Sequence, residues 1–426
     1  MKHCKKIYVI FLVLNVFFSV YTFSQTRISS PYSRYGLGDL QNAKYIGNLA
    51  MGGIGIAFRQ PSSVNYSNPA SYTVFDTNAF VLETGINSQT VKLSTNNQNQ
   101  RSNYTSLSHL AFGFPVTKWW GSSIGLLPYS HVGYKISNYE TLSEIGKIKY
   151  LYEGSGGLNQ FYVGNAFQLK NLSVGVNAAY IFGYLDRTST VSSPDSIYYL
   201  ALRLSNGTRI NGFHYNFGLQ YEKKINTDWS MQVGLVYSAT AKLNAKRDSF
   251  AYTFFSSGED YEKIKDTIID AENTKGKINL PYSLGGGIIL KKSNILLMGF
   301  DYQMQNWNNY SSFGEKDSLK NSWVTSFGME YTPIHTNLSS YWKRVHYRVG
   351  ARYAKTYLQL RNNQLSESAV SFGFGLPLKR SKTSFNIGFE LGQRGTLENN
   401  LIKEQFGRII LNVSFNEFWF FKRRFE

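Results

Sequence analysis

The chain has 426 residues, 45 of them basic and 27 acidic, for a formal net charge of +18. It carries 31 Tyr, 30 Phe and 37 Gly but only nine Pro, and yet its mean hydropathy is −0.29. Many aromatics without overall hydrophobicity suit strands whose two faces meet different solvents. A single cysteine, Cys4, leaves no disulfide framework to hold a secreted chain together.

Lys2, Lys5 and Lys6 precede an apolar run from Ile7 to Phe23 that ends in Thr22-Phe23-Ser24. A basic start, a short apolar core and small residues at the exit describe a secretory signal peptide over residues 1–24, cleaved near Ser24/Gln25. Removing those three lysines still leaves 42 basic against 27 acidic residues. Such an excess points first to nucleic acid, which a secretory leader argues against. No later run of about 20 apolar residues exists, so no other segment is expected to cross a membrane as a helix.

The stretch Leu49 to Phe75 differs in texture from all that follows. Gly52, Gly53 and Gly55 lie close together, Pro61 and Pro69 interrupt it, and Asn65, Ser67, Asn68 and Ser71 crowd its second half. Glycine allows positive φ and close backbone approach, and proline removes a ladder donor, so a compact irregular piece within residues 25–78 is expected. It needs an enclosure, and the chain after it supplies one.

From Ala79 onward the period is two. Phe213, Tyr215, Phe217, Leu219 and Tyr221 alternate with His214, Asn216, Gly218 and Gln220. The same alternation runs through 172–180, 345–353 and 409–415. It predicts strands at 79–92, 105–115, 121–137, 158–169, 171–184, 211–223, 228–242, 281–291, 294–306, 320–332, 343–357, 365–378, 382–393 and 406–416. Fourteen is an even number, and the segments are long for soluble strands. Short turns follow strands 2, 4, 6, 8 and 12, with a longer one (Pro333 to Trp342) after strand 10. The connections after strands 1, 3, 5, 7, 9 and 13 read as longer loops, that from Leu243 to Leu280 the longest. Short turns at one end and long loops at the other predict an all-β, 14-stranded antiparallel transmembrane barrel in the bacterial outer membrane, residues 79–426, closed by an N-terminal plug.

The tryptophans at 119, 120, 229 and 342 fall at or beside the short turns, and Trp419 follows the last strand, as an interfacial girdle would. The same turns carry Lys118, Lys170, Lys223, Lys224, Lys291, Lys292, Lys379, Arg380 and Lys382. Plain solvation explains such residues, and attraction to anionic lipid headgroups is the second reading. The chain ends FWFFKRRFE, aromatic near its terminus as barrel-assembly signals tend to be.

The run GGIGIAFRQPSSVNYSNPAS, with its triplet Asn68, Pro69 and Ala70, resembles the plug of the outer-membrane long-chain fatty-acid transporter (FadL-like) family. Pro281 to Trp307 is similar to that family's later strands. Val370 to Leu378 and the segment SFNEFWFFKRR are similar to a subgroup common in the Bacteroidetes. The resemblance implies a plugged fourteen-stranded barrel that passes hydrophobic molecules, which leave sideways at a kinked third strand. It also implies relatives that serve secretion or larger assemblies.

Strand three reads GSSIGLLPYSHVGYKIS, with Gly125 and Pro128 inside it. Both weaken pairing, so a bend or an opening is expected there, flanked by Leu126, Leu127 and Tyr129; the other reading is the end of a short strand near the rim. On the inward face stand His214, Asp301, His346, Arg348, Arg352 and Glu390. Opposite charges in a plugged lumen are expected to tie plug to wall, with Arg34, Asp39 and Arg59 as partners; Arg348 and Arg352 alternatively hold a carboxylate ligand. His109, His131, His214, His335 and His346 are scattered and no HExxH or GxSxG occurs, so no enzyme, cofactor or metal site is expected. Two functions follow. One is passive transport of hydrophobic small molecules, with outer-membrane lipid around the barrel. The other is a structural role beside outer-membrane or periplasmic proteins, with the loop at 243–280 (Glu259, Asp260, Glu262, Asp266) as lid or docking surface.

Overall fold

The computed structural model describes residues 30–41, 46–143, 146–194, 199–256, 262–333, 340–378 and 381–418. The leader, His335, Glu259, Asp260, Lys379, Arg380 and the end from Trp419 onward lie outside them. Fourteen antiparallel strands close on themselves: β1 (Ala79–Ser94), β2 (Asn99–Pro115), β3 (Trp120–Leu142), β4 (Gly146–Leu169), β5 (Leu172–Ser192), β6 (Ala201–Lys224), β7 (Trp229–Ser238 continued by Ala241–Ser256), β8 (Glu262–Leu280 continued by Ser283–Lys292), β9 (Leu296–Gln305), β10 (Ser322–Tyr331), β11 (His346–Leu360), β12 (Asn363–Pro377), β13 (Ser384–Arg394) and β14 (Lys403–Phe418). β14 pairs back onto β1 without a break, from Lys403↔Ser94 to Phe418↔Ala79. Both parts of β7 pair with β6, and both parts of β8 pair with β7, so each is one wall strand with a step in it. In β8 the step falls at Pro281, which has no amide hydrogen to give the ladder.

The strand count agrees with the sequence pattern; of the expected longer loops, those after β9 (306–321) and β13 (395–402) stand, while the longest one does not. Residues 243–256 and 262–280 are not loop but the upper parts of β7 and β8, paired from Ala241↔Leu280 to Ser256↔Glu262 with three register shifts. β3 to β6 likewise run on for 21 to 24 residues, whereas β9 and β10 have 10 each. The asymmetry between the two ends is therefore one of strand height: β3 to β8 rise as a wall above the rest. Periodicity failed in these upper parts because both faces there are polar or mixed, and alternation marks a strand only where its faces differ.

Along the lower strands the usual arrangement is inverted. Phe213 is 60 % exposed while its neighbour His214 is 8 % exposed. Tyr215, Phe217, Leu219 and Tyr221 continue the exposed row, and Gln220 is buried. Around the barrel the exposed set includes Val174, Leu235, Phe300, Phe327, Val349, Phe372 and Ile409, and the buried set Asn177, Gln232, Asp301, Ser326, Arg348, Ser371 and Arg408's partner Glu390. An apolar belt of this extent is far beyond what soluble monomers leave uncovered.

The polar inner face packs on residues 46–76. Gly52 and Gly53 have φ of 66° and 84°, open to glycine alone at little cost. Gly52 donates its N–H to Ser371 Oγ at 2.8 Å. The wall makes room with glycines of its own: a Cβ on Gly350 would stand 2.1 Å from the Gly52 nitrogen, and one on Gly218 2.0 Å from Asn68 Oδ1. Above this segment Tyr32, Leu37, Leu243, Ile278, Trp307, Tyr310 and Leu358 join in a buried apolar cluster.

Candidate functional site

β2 and β3 pair only from Pro115↔Gly121 to Leu110↔Leu126. Beyond Leu126 their ladder stops, although both strands continue and keep their other neighbours, β1 and β4. The stop coincides with Leu127-Pro128-Tyr129. Pro128 has no N–H, and the register with β4 shifts between Pro128 and Ser130. Of the five residues singled out in strand three, Gly125 and Leu126 sit in the last paired stretch, Leu126 being 38 % exposed. Leu127 is buried, and Tyr129 faces the interior.

The edge that β2 leaves is taken up by the chain's own N-terminal segment. Asp39 and Leu40 form a two-residue strand against His131 and Ser130. Gln41 donates its N–H to the Tyr129 carbonyl at 3.0 Å, and Ser30 donates to the Gly133 carbonyl at 3.1 Å. Tyr104 of β2 reaches across to stack on His131 with ring centroids 4.9 Å apart. Residues 30–41 therefore lie along β3 where the wall ladder is interrupted.

Behind this edge is a chamber of about 340 Å³ lined by Leu40, Tyr66, Tyr129, His214, Trp307 and Tyr357 among others, with Asp301 and Arg352 in its wall. Asp301 Oδ2 accepts from the N–H groups of Gly55 (2.6 Å) and Ile56 (2.9 Å), which fixes the glycine-rich turn to β9. Asn68 is a cap: its side chain accepts from Ala70 N–H at 3.0 Å and donates to the Ile56 carbonyl at 2.7 Å. Pro69 then opens a short 3-10 helix, Pro69–Val74, its missing N–H costing nothing at that position.

The inward charges do not form one group. Arg352 Nη2 lies 2.6 Å from Glu367 and 2.9 Å from Glu390, and Arg408 shares Glu390 at 3.0 Å. Arg394 lies 2.6 Å from Asp39 and 2.7 Å from Glu404, so it is the ion pair that ties the N-terminal segment to the wall. Burial by itself raises the Asp39 carboxyl, but Arg394 outweighs it and holds the group below its ordinary range. His346 and Arg348 are near the turns instead, around Glu330: His346 Nδ1 is 3.4 Å and Arg348 Nε 2.7 Å from it. Arg59 bonds Thr73 and approaches Glu222 at 3.9 Å, and Arg34 lies 4.1 Å over the Tyr152 ring. Sequence reading named Asp39 but missed Arg394 and Glu404, because it ended strand 13 and began strand 14 one or two residues short of them. Continuing the alternation through Asn386 and Glu390 reaches Arg394.

The family model that matches the chain is BamG, over residues 4–426. No curated protein matches it. Among solved structures, the CymD monoaromatic hydrocarbon channel superposes with a TM-score of 0.58 at 17 % identity, covering 91 % of this chain and 99 % of its own. The Pseudomonas putida toluene transporter TodX gives 0.57 at 15 %, covering 91 % and 100 %. A Pseudomonas aeruginosa FadL homologue gives 0.53 at 11 %, covering 90 % and 99 %. At such identities the likeness is one of fold, and it spans nearly the whole of each barrel. With residues 4–426 matched by that model, the chain belongs to the BamG family.

Proposed function

We propose that the protein is an outer-membrane barrel through which small hydrophobic molecules pass by partitioning, from the lumen sideways into lipid. The observation that carries this reading is the interrupted ladder between β2 and β3, with Tyr129, just past the break in sequence, lining the chamber. The exposed apolar rows are the lipid-facing belt, residues 46–76 the plug, and 25–78 and 79–426 the two parts of the mature chain. The fold shared with structures titled as toluene and hydrocarbon channels supports the same reading. The C-terminal segments keep the Bacteroidetes-type subgroup as the expected home.

The test is Pro128→Val, which restores an N–H to β3. Uptake of a radiolabelled hydrophobic probe by cells is expected to fall several-fold while the barrel still folds; unchanged uptake removes the lateral route. A second reading, a structural subunit beside other outer-membrane proteins, draws on the β3–β8 wall that stands above the other strands. Stoichiometric partners retained in mild detergent would favour it.

A further inference from the structure

The outer surface of the barrel is not smooth at the foot of β1 and β2. A Cβ on Gly113 would stand 2.5 Å from the Phe75 ring of the inner segment. Gly113 therefore faces inward, and its neighbours Phe112 and Phe114 face out. On β1, Val81 and Glu83 are buried, which turns Phe80 outward as well. The three rings form a row, Phe80 and Phe112 with centroids 5.6 Å apart, Phe112 and Phe114 5.4 Å. With Pro115 and Val116 they line a groove of about 660 Å³, a volume within the range of about 300–1,000 Å³ usual for ligand sites.

The described wall of this groove holds one charged residue, Lys118, exposed on the turn between β2 and β3. Other turn lysines are occupied: Lys382 lies 2.7 Å from Asp76, and Lys292 stands 5.8 Å over the Trp229 ring. Among the described residues no ion pair engages Lys118. The nearby acids do not line the groove: Asp76 is held by Lys382, and Glu417, opposite Phe80 in the ladder with β14, accepts from Ser381 at 3.3 Å. Trp119 and Trp120 follow Lys118 directly, and tryptophans collect where hydrocarbon gives way to headgroups. An apolar trough facing lipid, with an uncommitted ammonium at headgroup depth, matches the two halves of a phospholipid.

Resting on the outer-membrane placement above but not on the lateral route, we propose that this groove is a phospholipid site. One acyl chain lies along Phe80, Phe112 and Phe114, and the phosphodiester sits at the Lys118 ammonium, a point charge suited to phosphate.

The experiment is native mass spectrometry of the purified protein in detergent, titrated with dioleoylphosphatidylglycerol, dioleoylglycerol and dihexanoylphosphatidylglycerol. The first has both halves, the second lacks the phosphate and the third lacks long chains. Dioleoylphosphatidylglycerol is expected to be retained best, as one molecule per barrel. Lys118→Ala is expected to weaken its retention about fivefold, the worth of one basic residue at a lipid surface. Lys170→Ala, on the turn between β4 and β5, is expected to leave it unchanged. If Lys118→Ala fails to fold, the order of the three lipids on wild type decides. Equal retention of dioleoylglycerol, or equal loss in the two lysine variants, overturns the phosphate contact. Equal retention of the dihexanoyl lipid overturns the groove, and no retention of any lipid overturns the site while leaving the lateral route untouched. A barrel that stays dissolved without detergent removes the membrane placement itself.

Discussion

Single residues hold the interior to the wall, and they do so with charge where the backbone has groups to satisfy. Asp301 accepts two backbone N–H bonds from the turn at Gly55 and Ile56, and bonds to a charged acceptor contribute about 1.5–3 kcal/mol each. Asp301→Ala is therefore expected to lower the temperature at which the folded band converts to the unfolded one on semi-native gels, and to expose residues 46–76 to protease. Asp39 presents the pH side of the same design. Its folded carboxyl is depressed by Arg394, so the pair's contribution is fully present above the ordinary aspartate value of about 4 and is lost as pH falls below it. Asp39→Asn should reproduce at neutral pH the loosening of residues 30–41 that wild type shows only in acid, measured by limited proteolysis. An N-terminal segment equally protected in Asp39→Asn and wild type would deny the latch. Glycine acts by absence: Gly350→Val pushes a side chain into the Gly52 nitrogen and is expected to dislodge the segment without opening the barrel.

At the scale of elements, strand height and strand pairing are separate variables. The lower parts of β7 and β8 pair with each other and with β6 and β9, independently of the ribbon above them. Shortening that ribbon between Lys246 and Lys275 to a tight turn should leave a closed barrel with unchanged heat-modifiability; a chain that no longer inserts would show that the ribbon is part of the folding unit. β3 carries the opposite case. It gives up its ladder with β2 after Leu126 yet stays paired with β4, through the register shift at Pro128, as far as Leu142↔Gly146. The open edge does not stay bare, because residues 30–41 supply strand-like contacts to it. An unpaired edge is a liability that chains cover, and here the cover comes from the same polypeptide.

For the molecule as a whole, the belt and the lumen reverse the soluble order of apolar inside and polar outside. Phe217 lies at the centre of the exposed row from Phe213 to Tyr221. Phe217→Arg is expected to destabilise the bilayer-inserted barrel by about 2–4 kcal/mol, the cost for a cation near the midplane, and to do much less in detergent. Equal effects in both media would argue against membrane burial of that row.

Strand number and the inside-outside assignment of side chains were legible in the sequence, because a wall between two unlike media forces a period of two and nothing else in the chain competes with it. His214, Asp301, Arg348 and Arg352 were placed on the inner face by that period alone, and the packed, glycine-rich character of residues 49–75 followed from backbone chemistry. What the period does not carry is pairing across long separations. That Asp39 meets Arg394, that β3 parts from β2 at Leu126, and that residues 243–256 and 262–280 continue the wall all depend on which strands come to stand side by side when the barrel closes. Only the tertiary structure decided these, since each is a contact between residues whose local sequences are silent about one another.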